Sequence, residues 1–191
     1  MFNPSKKIMG FATLSLSIAI SATLIGKAVA QNTDATTEAS TQAPSICQTV
    51  DAFNDFDFWV GNWQVIDNNT TKFSGSNSVV KVVQNCMVLE NWVDASGSTG
   101  KSINYFNPIT NKWRQVWIGS SGYLIDIEGG LIDGAMVLEG TISTFGNHKE
   151  YPFKGTWRKL ERGKVQQVFH QFDPLKQEWV VWFDGTYTPS R

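Results

Sequence analysis

The chain has very little histidine, with only His148 and His170 among its 191 residues. It has two cysteines, Cys47 and Cys86, and neither "SICQ" nor "QNCM" has the CxxC spacing of a thiol redox site. The nearest phrase to a serine-hydrolase elbow is "GSSG" at 119–122, which is not Gly-x-Ser-x-Gly. No phosphate loop or dinucleotide fingerprint occurs, and Gly129, Gly130 and Gly134 fit hairpin turns instead. No window of about twelve residues joins helical period to helix caps, so any helix is expected to be short and to lie at an edge or a barrel mouth. After residue 30 no apolar run approaches the length of a membrane span. No motif therefore implies a metal or a cofactor.

The amino-terminal 30 residues stand apart. Lys6 and Lys7 precede an apolar run from Ile8 to Ile25, and "AVA" follows at 28–30. A basic start, an apolar middle and small residues at the end predict a secretory signal peptide over 1–30, cut after Ala30. A membrane anchor is the alternative, and the polar "QNTDATTEAS" that follows favours cleavage. The first cysteine is Cys47, so a lipid-modified new terminus is not expected, and the predicted location is secreted or periplasmic. Of the 16 basic side chains, loss of Lys6, Lys7 and Lys27 leaves 13 against 17 acidic ones, a net charge near −4. That balance excludes nucleic acid, which requires a basic footprint. In an oxidising compartment two cysteines predict a Cys47–Cys86 bridge, the alternative being two unpaired thiols. Closing a loop of about 40 residues would contribute about 4 kcal/mol by the chain-entropy model.

Residues 31–52 are rich in Thr, Ala, Gln and Ser without one aromatic residue, and read as a flexible polar leader pinned by Cys47. From Phe53 to Arg191 short segments rich in Val, Ile, Phe, Trp and Tyr alternate with Gly, Asn, Asp and Pro clusters. Strands are predicted over 57–66, 73–83, 86–93, 102–107, 112–118, 122–128, 135–142, 151–160, 164–172 and 177–184, joined by turn phrases such as "NPITN" and "DPLKQ". About ten sequential strands with short joins predict an all-β fold, a single antiparallel up-and-down barrel, with a β-sandwich as the alternative. "YFNPITNKWRQVW" (105–117) and "QFDPLKQEWVVW" (171–182) echo one another, which predicts two similar hairpins with Trp113 and Trp179 in equivalent places.

The stretch "FDFWVGNW" at 56–63 opens the barrel region. Read as a strand, it puts Trp59, Gly61 and Trp63 on one face, with Gly61 leaving room for the indoles. "GNW" resembles the Gly-x-Trp element of lipocalin-like (calycin) barrels. The wider set "FDFWVGNW", "LENW", "GKSINYFNP", "KWRQVW" and "VLEG" resembles a family of exported bacterial proteins of unknown function assigned to that fold. The resemblance covers nearly all of 53–184. It implies that Trp63 plugs the closed end and that Arg158 packs on it.

A lipocalin-like barrel implies a small apolar or aromatic ligand at its mouth, and the candidate lining residues are Trp92, Tyr105, Trp117, Glu90, Arg114 and His170. Glu90 shares its face with Val88 and Trp92, so it needs a partner if that face is internal. His170 shares a face with Val168 and Phe172 and would be the iron ligand of the alternative, a histidine-held haem barrel. An enzyme reading would pair His170 with Glu90, or use the neighbouring carboxylates Asp126 and Glu128, unless Arg114 and Arg158 simply balance that face. Oligomeric state is not encoded in any of these features.

Overall fold

The computed structural model describes residues 43–190; the predicted signal peptide and most of the polar leader lie outside them. Ten strands follow in order: β1 Gly61–Asp67, β2 Phe73–Val82, β3 Met87–Asp94, β4 Thr99–Asn107, β5 Lys112–Gly119, β6 Tyr123–Ile132, β7 Ala135–Thr144, β8 Lys149–Lys159, β9 Val165–Asp173 and β10 Glu178–Pro189. Each pairs antiparallel with the next, and β1 pairs with β10, Trp63 opposite Pro189, to close the barrel. The expected up-and-down barrel is therefore the fold, and closure leaves no sheet edge unpaired.

Turn chemistry sets these strand ends. At the β6–β7 join Asp133 and Gly134 both take positive φ, 51° and 74°, the conformation a two-residue hairpin requires. The echoed turns also match locally: Asn107 Oδ1 accepts from the Ile109 N–H and Asp173 Oδ1 from the Leu175 N–H, both at 2.9 Å. Each turn ends on a left-handed residue, Asn111 or Gln177. The tryptophans that follow are not equivalent, however. Trp113 is buried inside the barrel, whereas Trp179 is 40% exposed on the outer face under the Lys154 ammonium. The two hairpins enter their strands with opposite face parity.

One end of the barrel is plugged by the chain before β1. Ile46–Thr49 form a short helix, α1, followed by single 3₁₀ turns over Asp51–Asn54 and Asp57–Trp59. Residues 57–59 of the expected strand are thus helical, and the reason is spacing. Phe56 and Trp59 both have no exposure, and they stack with ring centroids 4.9 Å apart. A 3₁₀ turn brings positions three apart to one side, where a strand would send them to opposite faces. Polar ties fix the plug: Lys81 Nζ donates to Asp57 Oδ1 at 2.7 Å and Asn54 Oδ1 at 2.8 Å, and Trp113 Nε1 donates to Ala52 O at 3.0 Å. The Cys47–Cys86 disulfide joins α1 to the β2–β3 turn. Trp63 is buried above this plug, its Nε1 donating to Trp59 O. Arg158 follows the fully buried Trp157 in β8 and is exposed on the outer face, so the expected packing of Arg158 on Trp63 does not form.

Candidate ligand cavity

Away from the plug, the barrel interior opens into a cavity of about 230 Å³. Its rim residues Ser74, Asp94 and Ser121 sit at the end opposite the plug, by the β1–β2, β3–β4 and β5–β6 turns. Aromatic side chains make its walls: Trp92, Trp117 and Tyr123 on one side, Phe169, Trp182 and Phe183 on the other.

Glycines determine how two of these indoles lie. A Cβ at Gly100 or Gly119 would collide with the Trp117 ring, and one at Gly75 would come within 2.6 Å of the Trp92 ring. Both indoles therefore lie flat along the wall of a neighbouring strand instead of filling the lumen. On the far wall a β-bulge between Val181 and Phe183 breaks the alternation of β10. Trp182 and Phe183, consecutive in sequence, both reach the cavity as a result. Trp182 meets Tyr123 and Phe153 edge-on, at 5.6 Å each.

Glu90 lines the cavity and belongs to a buried polar cluster behind its wall. Glu90 is buried, with Oε1 accepting from Asn77 Nδ2 at 2.7 Å and Oε2 from Ser102 Oγ at 2.6 Å. Asn104 Nδ2 donates to Ser102 Oγ at 2.8 Å, and Gln115 Nε2 donates to Asn104 Oδ1 at 2.8 Å. The Tyr187 hydroxyl donates to Gln167 Oε1 beside them. Burial pushes the Glu90 carboxyl above its ordinary range, and the bonds from Ser102 and Asn77 only partly oppose this. Burial, and then the nearby Glu90, likewise raise the Tyr187 phenol. At the rim the Asp94 carboxylate is held below its usual range by hydrogen bonds from Ser96 and Ser98.

This has a consequence for stability. The folded barrel keeps the Glu90 proton to higher pH than the unfolded chain, whose glutamate releases it near the ordinary value of 4.5. The stabilisation is complete below that value and is lost as pH rises through the folded value, because there the unfolded state binds fewer protons. Urea midpoints of the ligand-free protein should fall from pH 4.5 upward, and the Glu90→Gln variant should lack that part of the slope. Identical profiles for the two proteins would mean that Glu90 titrates normally.

Of the six residues predicted to line the site, Glu90, Trp92 and Trp117 do so. Tyr105, Arg114 and His170 are on the outer face. Arg114 lies opposite Tyr105 and forms a bidentate pair with Asp126, at 2.7 and 2.5 Å. Lys112 pairs with Glu128 at 2.6 Å. Asp126 and Glu128 are thus charge-balanced on the outside, not a free carboxylate pair. His170 lies between Lys154 and Val181, and partial burial beside Lys154 lowers its pKa. It shares no space with Glu90, so the proposed His170–Glu90 pairing does not assemble. The histidine-held haem alternative does not fit this placement, because His170 lies on the outer face and the described residues lining the cavity include no histidine.

Sequence reading missed Tyr123, Phe169, Trp182, Phe183, Tyr187 and the polar set around Glu90. Strict alternation outward from Val88, Glu90 and Trp92 across the paired strands would have found Ser102, Asn104 and Gln115. The bulge hides Trp182 from any such count.

Compared with protein-family models and with curated proteins, the chain matches none. By its fold it is a closed ten-stranded antiparallel barrel, compatible with a lipocalin-like barrel.

Proposed function

We propose that this protein is exported and holds a small, largely aromatic or apolar molecule inside the barrel. The observation that carries the reading is the aromatic-walled cavity at the end opposite the plug, kept open by indoles laid against glycines. A barrel serving only as a scaffold would gain stability by filling that space, since interiors otherwise pack to crystal density. The volume of about 230 Å³ exceeds the roughly 150 Å³ of a cavity known to take benzene, which suits one ring with a short side chain. The reaction chemistry considered for His170, Asp126 and Glu128 has no support, because those groups stand apart on the outer face. Export is favoured by the signal-like sequence over 1–30 together with the disulfide. Among the described residues no helix is long and apolar enough to cross a membrane.

Two measurements test these claims. Intact mass of the exported protein should correspond to a chain beginning at Gln31, and a chain still beginning at Met1 would contradict cleavage. Calorimetric titration with a neutral one-ring probe, 2-phenylethanol, should show one site per chain. Failure of that probe and of its amine analogue to bind would leave the cavity without an occupant of the proposed class.

A further inference from the structure

The hydrogen bonds around Glu90 all run in one direction. Ser102 Oγ accepts from Asn104 Nδ2, and its own proton is thereby turned toward Glu90 Oε2. Asn77 Nδ2 donates to the other carboxylate oxygen. Each group that bonds the carboxyl is therefore a donor, an arrangement suited to a carboxylate. Yet the charge has no counter-ion: Glu90 forms no ion pair among the described residues, and those lining the cavity include no Lys, Arg or His. Beside Glu90, Asn77 Oδ1 is buried without a hydrogen-bond partner. A second carboxylate, Asp94, stands two positions beyond Trp92 on the same face of β3, at the rim. What the lining residues lack is positive charge.

Resting on the reading of the cavity as a ligand site, we infer that its occupant is a small primary or secondary amine with an aromatic or aliphatic body, whose ammonium binds Glu90. A carboxylate has about four lone-pair positions, and two remain free here for the incoming N–H groups. The π faces of Trp92, Trp117 and Trp182 add attraction for a cation held between them. Asp94 draws the same charge toward the mouth and disfavours organic acids. The raised proton affinity of Glu90 in the empty barrel fits this arrangement, since a buried carboxyl without a cation stays protonated and one that receives a cation can ionise.

The test is calorimetry on the mature, oxidised protein at neutral pH with phenethylamine, 2-phenylethanol and phenylacetate. Phenethylamine should bind about tenfold or more tightly than 2-phenylethanol, the range expected of a charge-assisted hydrogen bond, and phenylacetate should bind weakest. In Glu90→Gln the amine should fall to the affinity of the alcohol, while the alcohol changes little. Equal or tighter binding of the alcohol by the native protein would overturn the amine assignment and leave a neutral-ligand cavity. An amine preference that survives in Glu90→Gln would overturn the role of Glu90. If neither compound binds, the ligand-cavity reading itself fails. The comparison of ligands on the native protein decides the matter even if the variant does not fold.

Discussion

Replacing Trp59 with alanine is expected to destabilise the barrel by about 2 kcal/mol, less than the usual cost of truncating a buried tryptophan. Two effects compete. Trp59 is fully buried at the centre of the plug, stacked on Phe56 and 5.7 Å from Trp157, so truncation leaves a cavity walled by rings that cannot easily collapse. Against this, its Nε1 is buried without a partner, and removing an unsatisfied donor recovers about 1–3 kcal/mol. The lost packing, about 3–5 kcal/mol, is the larger effect. Trp59→Phe separates the two, since it keeps a ring and deletes the donor, and should change stability by less than about 1.5 kcal/mol. Chemical denaturation of the three proteins checks both values. A loss below about 1 kcal/mol in Trp59→Ala would mean that the plug is only loosely seated.

Removing the Cys47–Cys86 bridge in the double alanine variant should lower stability by about 4 kcal/mol, from the 39-residue separation it spans. Much of the effect should be local to the plugged end. The β2–β3 turn runs through three successive left-handed residues, Val83, Gln84 and Asn85, with φ of 52°, 51° and 73°. For the β-branched Val83 this backbone is costly, so the turn depends on what holds it. Cys86 ties it to α1, and Ser45 Oγ donates to Gln84 O at 2.7 Å. Hydrogen exchange in the variant should therefore speed up first around Val83–Cys86 and α1, ahead of the strands. Uniform acceleration along the whole barrel would argue that the bridge acts only through the unfolded chain.

The strands were legible because their ends carry residues with conformational reasons to turn, as at Asp133–Gly134 and the Asn107 and Asp173 turns. The closed meander followed from short, sequential joins. What misled was the assumption that apolar residues mark the inner face. In β4 Gly100, Ser102 and Asn104 point inward while Ile103 is 42% exposed, so judging the strand by hydrophobicity places Tyr105, and with it Arg114 across the pair, on the wrong side. An inner face built of polar residues around a buried acid inverts the ordinary pattern, so hydrophobicity alone does not signal it. At Phe56 and Trp59 a period of three was hidden in a dense aromatic run that also reads as a strand. The β10 bulge shifts parity by one residue, which no local composition records.

The eight tryptophans are built-in reporters of where a ligand sits. Three line the cavity, Trp92, Trp117 and Trp182; Trp59, Trp63, Trp113 and Trp157 belong to the buried core, and Trp179 lies on the outer face. The decisive measurement is therefore a ¹⁵N–¹H spectrum of the indole N–H groups during titration with 2-phenylethanol. The ligand-cavity account predicts saturable shifts of the Trp92, Trp117 and Trp182 signals, with those of Trp59, Trp157 and Trp179 essentially still. Shifts centred on Trp179, or none at saturating probe, would contradict it.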